Sequence, residues 1–329
     1  MTTAFTRLVG CELPIQQAPI GFPAALPRLP IAVAEAGGHG MLAGVKMPPA
    51  DLAERLQAIG ARTRAFGVNL IEPFLEEGTL ETAAEHAPLV ELYLGDPSPS
   101  TVARASAGGA FVSWQIVSAE EARAAEAAGC DMVVARAIEA GGRATGGIGL
   151  LPLLDEVLDA VDVPVVAAGG IASGRAVAAV LAAGAAAARV GTRFLAAEEA
   201  ATHPVYLEAL LAATGHDTVL TEAFSAPPAP RTPHRVLRSA LEAAEAVEEE
   251  VVGEVNLGTR RVPVPRFGAD NPAADATGRV EAMALYAGEG VGSVRRREPA
   301  AAIVADLAAR ITSAAEPPDA GAAKAERAG

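Results

Sequence analysis

The sequence predicts an α/β protein, a closed (β/α)8 barrel of the TIM type with a mainly helical insertion or lid after the eighth strand. Three observations carry that expectation. From the start to about residue 198 one theme repeats: a short β-rich or apolar run, a polar or glycine-bearing loop, then an alanine-rich amphipathic stretch. Such alternation marks parallel strands joined by helical crossovers. Eight units fit into roughly 200 residues, about the size of one such barrel, and closure gives both end strands a partner. An open doubly wound sheet is the rival arrangement. Beyond residue 200 the rhythm breaks, and helical patterns alternate with proline-rich connections.

The strands read in order as "PIQQAP" (14–19), "GMLAG" (40–44), "AFGVNL" (65–70), "LVELYL" (89–94), "AFVSWQI" (110–116), "DMVVA" (131–135), "VPVVAAG" (163–169) and "AAARVG" (186–191). Residues 1–199 would thus form the barrel. In the segment 200–298, "HPVYLEALLAATG" and "RSALEAAEAVEEEVV" read as helices, while "SAPPAPRTPH" and "RVPVPRFGADNPAAD" hold too much proline for a helix or a central strand. This segment is expected to pack over one end of the barrel. "PAAAIVADLAARITSAA" (299–315) would be a closing helix, and residues 316–329 a frayed tail.

Composition excludes several classes. Hydrophobic residues make up 51% of the 329, enough for a large core and too many for a disordered chain. The net charge is −14 and the densest basic run, "VRRRE" (294–298), is short, so no nucleic-acid partner is expected. The opening "MTTAFTRLVG" lacks the pattern of a signal peptide, and no apolar segment reaches the roughly 18 residues of a membrane span. A cytoplasmic protein is expected. Cys11 and Cys130 form no spaced ligand set, and no metal site is read from the sequence.

In a barrel of this kind the ligand lies at the carboxyl ends of the strands. Gly169 and Gly170 end the seventh strand just before a helix, and Gly191 and Thr192 end the eighth. Glycine lets backbone approach a ligand closely, and amides at a helix start face an anion. Two such turns on adjacent strands make a phosphate cup. Asn69 ends the third strand with an amide suited to a ring that bears donors and acceptors, and Ala18 and Pro19 expose backbone after the first. A flat heteroaromatic ring with a phosphate tail would use all of these places.

The ordered motifs "QAPIG", "EAGGHGMLAG", "FGVNL", "SAEEARAAEAAGCDMVVA", "EAGG" (139–142), "VPVVAAGGIASGR", "RVGTRF" and "GRVEAMALYAGEGVG" (278–292) together resemble the nitronate monooxygenase family, formerly called 2-nitropropane dioxygenases, over nearly the whole chain. The resemblance implies an FMN-dependent oxidoreductase. It implies cofactor contacts at Asn69, Gly141, Gly170 and the run Arg189, Val190, Gly191 and Thr192. Ala18, Pro19, Arg136, Gly142 and Gly169 complete the expected cofactor set. It also implies that the segment holding Tyr286 and Gly288 folds back near the flavin.

Two departures stand out. The family typically writes "EAGGH", with the histidine as catalytic base or charge stabiliser, where this chain has Arg143; a glutamine usually ends the preceding strand, where this chain has Arg136. A histidine can take a carbon-bound proton near neutral pH, whereas a guanidinium cannot. Its fork can instead hold a planar anion, such as a nitronate or carboxylate. Arg136 is weighed between an ion pair with Glu139 and a flavin or substrate contact. Arg143, Glu139 and Tyr286 are the candidate catalytic residues. Of the histidines, His39 precedes a strand and reads as structural, His86 as exposed at a helix end, and His203, His216 and His234 fall where the sequence cannot place them.

The expectation is therefore oxidation of a small anionic, nitronate-like substrate with O2. The rivals are an NAD(P)H-using reductase like the FMN-containing enoyl-thioester reductases, and a flavin-binding protein with lost or altered catalysis. A homodimer is allowed for.

Overall fold

Short strands rich in Val, Leu and Ala set the architecture, because residues alternating along each strand can face a shared interior or a ring of helices. In the computed structural model, which describes residues 1–225, 231–257 and 260–311, six of them come first: β1 (Ile15–Gln17), β2 (Gly40–Ala43), β3 (Phe66–Ile71), β4 (Leu89–Tyr93), β5 (Phe111–Ile116) and β6 (Met132–Arg136). A two-residue strand outside the barrel, β7 (Gly142–Arg143), follows, then β8 (Val165–Ala168) and β9 (Ala187–Val190). The barrel strands run in the order β1-β9-β8-β6-β5-β4-β3-β2, all neighbours parallel. The ring closes through a bridge between Gln16 and His39, where the Gln17 amide donates to the His39 carbonyl and the His39 amide to that of Ile15, both at 2.9 Å. The eight strands thus form a nearly closed barrel, and the open sheet is set aside.

Crossover helices cover the outside: α2 (Arg28–Glu35), α3 (Pro49–Gly60), α4 (Thr79–His86), α5 (Pro99–Ala105), α6 (Ala119–Ala127), α7 (Leu150–Leu158) and α8 (Gly174–Ala182), with α1 (Ala4–Val9) ahead of them all. Val68, Leu70, Val90, Leu92, Val112 and Trp114 point outward and share one core with Leu52, Leu56 and Ile59 of α3 and Leu153, Leu154 and Val157 of α7. Met41, Leu89, Met132, Val134, Val166 and Ala187 point inward and meet Phe5 of α1, which fills the amino-terminal end of the barrel. Each fully buried Phe or Leu there contributes about 1.5–3 kcal/mol. Ser173 caps the start of α8, its Oγ accepting from the Ala176 amide at 3.3 Å beside the seventh-strand glycines.

The insertion differs from its expectation. It holds α9 (Pro204–Ala212), β10 (Thr218–Thr221), β11 (His234–Leu237), α10 (Arg238–Ala246), β12 (Val251–Leu257), β13 (Arg260–Pro265) and β14 (Thr277–Gly278). It is thus as much strand as helix, not mainly helical. One sheet has the order β10-β11-β7, so it takes its third strand from the loop after β6; the other has the order β13-β12-β14. Pro263 and Pro265 lie on β13, an edge strand, the one sheet position where a missing amide costs no ladder bond. The second core, including Tyr206, Phe224, Val236 and Leu285, belongs to this segment.

The closing helix is α11 (Ala300–Ala308), set against α2 and α8. Arg193 fastens it, pairing with Glu298 at 2.8 Å and Asp306 at 2.9 Å. Residues 312–315 of the expected helix and the expected tail 316–329 lie outside the described residues, as do 226–230 of the first proline-rich connection. Among the described residues no helix is long and apolar enough to cross a membrane, and no group of His, Cys, Asp and Glu is placed to hold a metal.

Candidate functional site

The carboxyl ends of the barrel strands open into a cavity of about 600 Å3, within the ~300–1,000 Å3 usual for small-molecule sites. Of the residues expected there, Ala18, Pro19, Asn69, Arg136, Gly141, Gly142, Arg143, Gly169, Gly170, Arg189, Gly191, Thr192 and Tyr286 all line it. Two do not. Val190 is fully buried in the outward core, because strand alternation that turns Arg189 inward must turn its neighbour outward. Glu139 sends its carboxylate to the Leu150 amide at 2.9 Å, at the first turn of α7. It serves a helix start rather than the cavity.

The cavity floor is a closed polar network. Arg189 and Glu91 are 4% and 0% exposed. Arg189 donates from both terminal nitrogens to the carboxylate, with Nη1 to Oε1 at 2.8 Å. Asn69 Nδ2 (2.9 Å), Gln115 Nε2 (2.8 Å) and Ser113 Oγ (3.4 Å) donate to the same carboxylate. Arg189 Nε donates to Gln16 Oε1 at 2.8 Å, and Gln16 Nε2 reaches His39 Nδ1 at 3.2 Å. Burial, with Arg189 second, holds His39 down to about 3, so it is neutral and accepts that bond. With their amide nitrogens spent on Glu91, Asn69 and Gln115 offer the cavity their carbonyl oxygens.

At one end of the cavity, Gly169 (φ 129°) and Gly170 (φ 66°) take backbone conformations that strain any other residue. The start of α8 follows directly. The glycines of 288–290 abut this turn: the Gly288 amide donates to Thr192 Oγ1 at 2.9 Å, and a Cβ on Gly290 would stand 2.6 Å from the Gly170 carbonyl oxygen. Glu289 N donates to Glu139 O at 3.0 Å, so the late segment does fold back onto the "EAGG" loop. Glycine turns beside a helix start, carbonyls over a charged floor and a cavity of this size fit the phosphate tail and flat ring of FMN.

The wall at the "EAGG" loop carries two arginines. Arg136 Nη2 donates to Gly141 O at 2.8 Å and Nη1 to Tyr93 Oη at 3.5 Å, with its guanidinium 5.5 Å from the Tyr93 ring centroid. It makes no ion pair with Glu139. Arg143 Nη1 donates to Thr232 Oγ1 at 2.7 Å and lies 5.7 Å from the centroid of Phe74. Among the described residues neither arginine meets a carboxylate, although Arg136 is only 8% exposed.

His234, which sequence reasoning could not place, also lines this wall. It stands opposite Arg143 in the β7–β11 register and is 1% exposed. Its ring stacks on Tyr286 (centroids 5.6 Å, planes 10° apart), and neither nitrogen has a hydrogen-bond partner. Burial first and Arg143 second lower its pKa to about 4, only partly opposed by the nearby Thr232 backbone. Tyr286 donates its hydroxyl to the Ala269 carbonyl, and burial raises its pKa. That hydroxyl is engaged, which makes Tyr286 a wall rather than an acid. Across the mouth Lys46 pairs with Asp270 at 2.6 Å, and Asn271 bonds Phe22 N (3.3 Å) and Ile20 O (3.1 Å).

The family model described as nitronate monooxygenase matches residues 75–310. The chain is 34% identical over 286 residues to a nitronate monooxygenase of Pseudomonas aeruginosa, covering 72% of this chain and 81% of that protein. It is 35% identical over 243 residues to the (3aS,4S,5R,7aS)-5-hydroxy-7a-methyl-1-oxo-octahydro-1H-indene-4-carboxyl-CoA dehydrogenase of Rhodococcus jostii, covering 73% of this chain and 67% of that one. The solved structure of a nitroalkane oxidase from Streptomyces ansochromogenes superposes with a TM-score of 0.74 at 32% identity, over 95% of this chain and 99% of that one.

Proposed function

The chain belongs to the nitronate monooxygenase family of oxidoreductases, and from that premise we propose that it is an FMN enzyme oxidising a small, nitronate-like anion with O2. The observation that carries this reading is the pair of cavity arginines that meet no carboxylate among the described residues. A cation in a partly desolvated wall is costly unless something of opposite charge visits it. Arg143, with its flat fork, suits the two oxygens of a nitronate or carboxylate. Bound FMN supplies a two-electron acceptor that dioxygen can reoxidise.

The chain's own residues do the rest. The turns at Gly169, Gly170, Gly191 and Thr192, with the start of α8, would hold the phosphate. Asn69 and Gln115 would present carbonyls to the ring over the Glu91–Arg189 floor. Arg143 would bind and orient the anion, Arg136 would hold the "EAGG" loop at Gly141, and Tyr286 with His234 would exclude water from that side.

The test is the visible spectrum of purified protein before and after anaerobic addition of ethyl nitronate, and separately of NADH or NADPH. Flavin absorption bleached by the nitronate and not by the nicotinamide supports the proposal; colourless protein that stays empty in excess FMN contradicts it. A reductase or dehydrogenase acting on a thioester is the second reading, favoured by the likeness to the CoA dehydrogenase. Bleaching by NADH or NADPH alone would select it, and flavin that no donor reduces would point to a protein that binds without turnover.

A further inference from the structure

We propose that His234 is a catalytic base that removes a proton from a neutral carbon acid, so that the anion held by Arg143 is generated within the site. The proposal rests on the reading that Arg143 binds an anion, and it adds the group that makes one.

The geometry comes from a pairing far apart in the chain. β11 runs antiparallel to β7 with His234 directly opposite Arg143. Side chains directly opposite in such a pair lie on the same face, and both of these line the cavity. A histidine that serves only packing commonly has a hydrogen bond, as His39 has to Gln16. His234 has none: both ring nitrogens are buried and unpartnered while the ring itself is held in place against Tyr286. Buried polar atoms without partners are rare, and here a ligand in the cavity would supply one.

The charged and titratable groups facing His234 are Arg143 on β7, Arg136 on β6 and Tyr286 behind it; Asp270 beyond Tyr286 is paired with Lys46. Burial and the two cations keep the imidazole neutral near pH 7, the form that can accept a proton. When the carbon acid ionises, the proton moves to an imidazole nitrogen. The C–H electron pair moves into the new C=N bond of the nitronate, and the negative charge comes to rest on the two oxygens. That anion would stand between the guanidinium and the new imidazolium and offset the repulsion between them. The imidazolium returns its proton to water after the product leaves.

The test follows anaerobic exchange of the α-protons of nitroethane in D2O by NMR, for FMN-loaded wild type and for His234→Gln. Wild type should exchange well above buffer. H234Q should lose about 100-fold or more in exchange, a larger factor than it loses in oxidation of preformed ethyl nitronate, since that substrate needs no base. Wild-type exchange no faster than buffer, or H234Q exchanging like wild type, overturns the proposal. Should H234Q fail to fold, the wild-type pH profile decides: the second-order exchange rate should fall along an acid limb at or below the ordinary imidazole value of about 6.5, and a limb above that value, or none, contradicts it. Exchange by protein that takes up no FMN would defeat the flavin reading and leave the base standing.

Discussion

The floor and one wall of the cavity hold similar side chains in opposite states. On the floor, Arg189 is bound by Glu91, and Asn69, Gln115, Ser113 and Gln16 extend the network. On the wall, among the described residues, Arg136 and Arg143 reach carbonyls, hydroxyls and aromatic faces but no carboxylate, and the nitrogens of His234 have no partner. On the proposed reading, the difference separates charge that holds the barrel together from charge that binds a ligand. A buried ion pair with its lone pairs engaged is a structural device; a buried Arg136 and a half-buried Arg143 that meet no anion among the described residues suit the proposed binding role.

The largest effect that would sharpen this contrast is on the floor. Glu91→Gln strands Arg189 in the barrel interior and should cost about 3–5 kcal/mol in denaturant unfolding. A loss under about 1 kcal/mol would mean that the floor pair is not structural. On the wall, Arg143→Met should leave stability within about 1 kcal/mol. It should lower kcat/KM for ethyl nitronate about 10–100-fold, as expected for a charged hydrogen-bonded contact of about 1.5–3 kcal/mol. Arg143→Lys keeps the charge but loses the fork and should fall between.

Acid separates the regions again. His39 is held down to about 3 and His234 to about 4, both mainly by burial, so each folded-state pKa lies below the unfolded value of 6.5. The unfolded chain therefore takes up protons first as pH falls. The stability due to the two neutral rings is full above about 6.5 and is lost as pH drops toward 4 for His234 and 3 for His39, at up to about 1.4 kcal/mol per pH unit for each. Unfolding measured from pH 7.5 to 5 should show that slope, and saturating propionate should flatten the share due to His234 alone. An unchanged slope with propionate would break the contrast. The smallest effect is at the mouth: Lys46, whose side chain is 39% exposed, should change stability by less than about 1 kcal/mol as Lys46→Met, read by the same unfolding measurement.

The barrel was legible because its signals are local. Each strand is a short apolar run, each crossover an alanine-rich helix, and the glycines at 169–170 and 191 sit where strand meets loop. What escaped depends on pairing between distant segments. Nothing near His234 signals that β11 will lie against Arg143, and the strand β13 is hidden behind prolines that only an edge position tolerates. Glu139 misled because a carboxylate beside a glycine loop looks available until the start of α7 claims it. Val190 misled for a simpler reason: a run of four consecutive residues cannot all face one side of a strand. Glu91 did leave a trace, a lone charge inside "LVELYL", and a charge there needs a buried partner such as Arg189.

The measurement that meets the central claim most directly is a crystal structure of the FMN-loaded protein with propionate, an unreactive planar anion close in size to ethyl nitronate. The account predicts the flavin phosphate at the turns of Gly170 and Thr192, and the carboxylate within hydrogen-bonding distance of the Arg143 guanidinium on the open face of the ring. A flavin lying elsewhere, or a propionate that ignores both Arg143 and Arg136, would contradict it.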